Sequence, residues 1–170
     1  MSEPTTSIRV TVKQRLYDLI AASPPERLDG SAGVQVLYGP NVRELENESI
    51  WIGAIEGRSE PAVIAGGPGT RIRRNDSFVV DIWCGVRAPL LDDQQAADNQ
   101  CAALVAAVED VLAANPGLGQ TGVNTDKLDG VLSAWIEDFN GPSPADLTES
   151  GLGAWHSAAV LRIRVNTRLI

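Results

Sequence analysis

Several residue types are scarce in this chain, and each scarcity removes a class of function. Lysine occurs only at Lys13 and Lys127, and neither follows a glycine, so no phosphate-binding loop ending in Gly-Lys-Ser/Thr is present. His156 is the only histidine, which excludes a site of several histidines and leaves little for a histidine-activated nucleophile. No apolar run approaches the roughly 20 residues of a transmembrane helix, so no membrane partner is expected.

Cysteine is equally scarce. Cys84 and Cys101 are the only two, and both fall within apolar patterns. We interpret them as buried free thiols, which pack as small hydrophobic side chains, with a disulfide between them as the alternative. Because no other cysteine or histidine lies at metal-ligand spacing, we predict no metal and no cofactor.

The charge balance limits the partners. The formal net charge is -8 and the sequence pI is about 4.6, which disfavours general nucleic-acid binding but suits a surface that nucleic acid passes without adhering. The 170 residues predict one domain, and an apolar fraction of 44% is ordinary for a globular fold. Since the first five residues are neither basic nor apolar, we expect synthesis in a cytoplasm.

Periodicity predicts two amphipathic helices and five strands. Apolar residues at spacings of three and four indicate helices over 6–22 and 92–114, which Pro24 and Pro116 would end. Strands are predicted over 33–38, 49–55, 77–87, 128–138 and 155–168. The order α-β-β-(long loop)-β-α-β-β favours an α+β fold, with an antiparallel or mixed sheet and both helices on one face.

Two segments lack periodicity and are predicted to be long projecting loops, at about 56–76 and 140–154. The first contains a glycine-rich tip followed by a basic cluster, namely Gly66, Gly67, Pro68, Gly69, Arg71, Arg73 and Arg74. A shorter acidic stretch holds Glu44, Glu46 and Glu48, which we interpret as a solvated loop.

Strand alternation also identifies candidate interaction residues. In 77–87, the residues Phe78, Val80, Ile82, Cys84 and Val86 should face the core, and the other side should meet solvent or a partner. In 128–138, we predict Val131, Ser133, Trp135 and Glu137 on one side of the strand and Leu132, Ala134 and Ile136 on the other. Tryptophan and arginine concentrate binding energy at protein interfaces. The candidate subunit-interface residues are therefore Trp83, Arg87, Trp135, Arg162, Arg164 and Arg168. The alternatives are that the tryptophans pack in the core and that the arginine stripe of 162–168 is simply solvated.

The run from Gly117 to Gly122 matches G-x-G-x-x-G as a string. A dinucleotide site requires a strand before this run and a helix after it, whereas here the run follows a predicted helix and leads into a loop. We therefore predict no nucleotide site and no catalytic residues.

The element order and several segments resemble the tail terminator (tail completion) proteins of long-tailed bacteriophages. The resemblance covers most of the chain. It rests on the order and length of the predicted elements and on their residue composition, with no highly specific signature. The segments that carry it are Leu16–Ile20, Phe78–Trp83, the alanine-rich helix 92–114 and Leu161–Val165. The resemblance implies a non-catalytic virion protein at the tail–neck junction, made in the host cytoplasm. It would form a ring, expected to be a homo-hexamer, that caps the tail tube and ends tube polymerisation. Its implied partners are the major tail tube protein and the head-side connector or stopper, and DNA would pass through the lumen without specific binding.

Two alternatives stay open. The basic cluster Arg71–Arg74 would also suit another neck protein, such as a stopper or head–tail adaptor. A small-molecule-binding or enzymatic α+β domain is the alternative from a different class, because such folds host many functions. A ligand held by Asp81, Trp83 or His156 would support the second alternative, and ring formation would oppose it.

Overall fold

The computed structural model describes residues 8–39, 46–61, 74–88, 94–119, 128–144 and 155–169. Its elements are α1 (Ile8–Ala22), β1 (Gln35–Leu37), β2 (Glu48–Pro61), β3 (Arg74–Ala88), α2 (Gln94–Ala114), β4 (Val131–Pro144) and β5 (Trp155–Leu169). The strands form one sheet in the order β1-β2-β3-β5-β4, in which only β1 and β2 pair in parallel. The predicted α+β class, with two helices and a mixed sheet, is confirmed.

Both helices pack against the same face of the sheet. Each buries one stripe at helical spacing, which in α1 consists of Val12, Leu16 and Ile20. These residues and the buried stripe of α2 join one core cluster with alternate residues of β3 and β5. The predicted inward set of β3 is confirmed, since none of Phe78, Val80, Ile82, Cys84 and Val86 exposes more than 2% of its surface.

The prediction of a loop over 56–76 is wrong at both ends. Strand β2 continues to Pro61 and β3 begins at Arg74, and these two residues are partners in the antiparallel ladder. Pairing continues because backbone hydrogen bonds do not depend on side-chain polarity, whereas the prediction relied on apolar alternation. The centre of the predicted loop, 62–73, lies outside the described residues.

The prediction of a loop over 140–154 is wrong at its start, because β4 extends to Pro144. The rest of it, 145–154, lies outside the described residues. Three register shifts interrupt β4, between Val131 and Ser133, Ile136 and Asp138, and Asn140 and Ser143. An extra residue in a strand changes which side chains face the core. The prediction that Val131 shares a side with Trp135 is therefore wrong: Val131 is buried, whereas Leu132 and Trp135 are exposed.

Glu48 is not the solvated residue that the sequence predicted. It begins β2, and its buried carboxylate accepts hydrogen bonds from the Leu28 backbone N–H at 2.9 Å and from Gln100 Nε2 at 2.5 Å. It thereby joins the loop after α1 to helix α2. Glu46 is exposed and pairs with Arg27, and Glu44 lies outside the described residues. No helix in the described part of the chain is long and apolar enough to cross a membrane.

Candidate interaction surface

The sheet surface opposite the helices is called here the open face. It is formed by the side chains that alternate with the core residues of β2, β3, β5 and β4. All six candidate interface residues lie on it: Trp83, Arg87, Trp135, Arg162, Arg164 and Arg168. Trp83 exposes 36% and Trp135 exposes 44% of its surface. Exposed indoles are enriched at protein–protein interfaces, where tryptophan is a frequent anchor.

Trp51 and Trp83 form a stacked pair on the open face. They are direct partners in the β2–β3 ladder, with ring centroids 6.0 Å apart and an angle of 3° between the ring planes. Offset parallel stacking at this separation is a favourable aromatic geometry. The sequence prediction included Trp83 but not its partner, because Trp51 lies 32 positions earlier and the pairing depends on strand register.

Two glycines make room for this tryptophan pair. An ideal Cβ on Gly53 would lie 3.0 Å from Cδ1 and Nε1 of Trp83. One on Gly85 would lie 3.0 Å from Cζ3 of Trp51. Because each ring rests over a glycine of the opposite strand, the sheet holds the pair in place and leaves part of Trp83 exposed.

Ion pairs occupy the centre of the open face. Arg162 lies 3.4 Å from Asp81 and 3.4 Å from Glu56. Arg164 donates to Glu137 at 2.6 Å and to Ser77 Oγ at 3.2 Å. Asp81 Oδ1 has no partner that meets hydrogen-bond geometry, so its contact with Arg162 is an ion pair only. Since these arginines are already paired with carboxylates, this region is close to neutral and does not form a basic surface for nucleic acid.

The other two candidate arginines, Arg87 and Arg168, form no ion pair among the described side chains. Arg87 is half-buried near the end of β3, and its Nε is buried without a hydrogen-bond partner. Arg168 is exposed near the end of β5. His156 lies in β5 opposite Arg87 in the ladder. Of the residues proposed for a small-molecule site, Asp81 is paired with Arg162 and Trp83 is stacked on Trp51.

The candidate loop residues are mostly beyond the described ranges. Gly66, Gly67, Pro68, Gly69, Arg71 and Arg73 lie outside the described residues. Arg74 does not belong to a loop, because it is the first residue of β3. Of the glycine run after α2, Gly117 to Gly119 follow the helix, and the rest of the run is likewise outside the described ranges.

The two cysteines are free and buried, as expected. Burial raises the pKa of both thiols. For Cys101, burial and nearby Asp98 raise the pKa to about 11, against the opposing effect of a hydrogen bond with Ser157. Since the thiolate is the reactive form, neither side chain is suited to be a nucleophile at neutral pH.

A small polar cluster that the sequence did not reveal lies beside Cys101. Ser157 Oγ donates to Asp98 Oδ1 at 2.5 Å, and Gln94 Nε2 donates to the same oxygen at 3.0 Å. These contacts tie the first turns of α2 to β5, which is a structural role. Within the described ranges, no group of three or more His, Cys, Asp or Glu side chains could hold a metal ion.

No protein-family model matches this chain, and no curated protein matches it significantly.

Proposed function

We propose that this chain is a structural virion protein of a long-tailed phage that works by assembling with copies of itself. In this proposal it forms a ring, expected to be hexameric, on the tail tube. The ring ends tube polymerisation and docks the tail to the head-side connector or stopper. The resemblance of its element order and segment composition to tail terminator proteins supports the assignment to a phage tail. The exposed residues of the open face support assembly with other copies.

The observation that carries the proposal is the tryptophan pair on the open face. Trp83 lies on β3, an internal strand of the sheet, and yet exposes 36% of its surface. Covering an exposed indole removes apolar surface from water, which stabilises association by roughly 25 cal/mol per Å². A partner protein, rather than a phosphate backbone, is favoured because the charges beside the pair are largely neutralised.

The net charge is consistent with a ring through which DNA travels. At -8 per chain, copies arranged around a lumen would repel phosphate groups and so limit adhesion of the passing DNA. The described chemistry also supports a non-catalytic role. The thiols are buried with raised pKa values, and the open-face carboxylate Asp81 is paired with an arginine.

The deciding experiment is electron microscopy of lysates from a phage in which this gene is disrupted. Overlong tubes without heads would support a terminator, because an uncapped tube keeps adding rings. Tails of normal length beside unattached heads would instead assign the protein to another neck position, such as a stopper or adaptor. Intact, infectious particles would refute the structural role and would favour a search for a small-molecule ligand.

A further inference from the structure

We draw no further inference here: the strongest candidate, the stacked pair of Trp51 and Trp83 on the open face of the sheet, carries none because nothing in the described part of the chain shows what covers it.

Discussion

Gly57 allows β2 and β3 to approach closely beside the core, and its replacement by alanine is a sharp test of the fold. Gly57 and Phe78 are partners in the ladder. An ideal Cβ on Gly57 would lie 2.3 Å from Phe78 Cβ, 2.7 Å from Phe78 Cα and 2.9 Å from the Ser77 carbonyl oxygen. Two of these three atoms are backbone atoms. Since Phe78 is fully buried, the clash can be relieved only if the strands move apart.

The expected change in the free energy of unfolding combines one favourable term and two unfavourable terms. Alanine in place of glycine within a strand is by itself favourable by roughly 0.5–1 kcal/mol, because glycine loses more backbone entropy on folding. Overpacking costs about 1–3 kcal/mol, and sometimes more when the backbone must shift. Each ladder hydrogen bond lost adds about 1 kcal/mol. With one ladder hydrogen bond lost, we therefore expect Gly57→Ala to lower the free energy of unfolding by about 1–3.5 kcal/mol.

Alanine variants at two further glycines serve as references when the free energy of unfolding is measured in urea. At Gly85, the nearest atoms to a new Cβ are at the far end of the Trp51 ring, which can shift by a few tenths of an ångström, so Gly85→Ala should cost about 1 kcal/mol. At Gly39 nothing lies within 4 Å of a new Cβ, so Gly39→Ala should stay within about 0.5 kcal/mol of the wild type. If Gly57→Ala is no less stable than Gly39→Ala, the described β2–β3 register is wrong.

Three other predictions test the core, the open face and the thiols. Ile163→Ala, at a fully buried position, should lower the free energy of unfolding by about 2–5 kcal/mol in denaturant titrations, because it leaves a cavity. Arg162→Ala should cost less than about 1 kcal/mol, because the Arg162 side chain is 41% exposed, and 1 M salt should reduce the difference from the wild type. Folding raises the pKa of Cys101 from 9.0 to about 11, so the folded state holds the thiol proton more tightly. The contribution of Cys101 to the free energy of unfolding should therefore be complete below about pH 9 and should decline as the pH rises towards 11. In Cys101→Ala, the free energy of unfolding should fall less over the same pH range. A thiol reagent should modify the wild-type chain only after unfolding.

The sequence determined the parts of the fold that local periodicity encodes. The stripe of Val12, Leu16 and Ile20 predicts a helix whatever it packs against, because the 3.6-residue repeat sets which side chains share a face. In the same way, alternation from Phe78 to Val86 identified the core side of β3 and placed Trp83 and Arg87 on the other side. Arg162 and Arg164 were assigned to the open face by the same two-residue repeat.

Only the tertiary structure decided the features that depend on which strands are neighbours. Trp51 meets Trp83 because of the β2–β3 register, and no local pattern in the sequence contains that register. The inward position of Val131 depends on a register shift against β5, and the burial of Glu48 depends on Leu28 and Gln100, which are distant in sequence. The physical reason is the same in each case: periodicity is a property of one segment, whereas register, bulges and hydrogen-bond partners arise only when segments pack together.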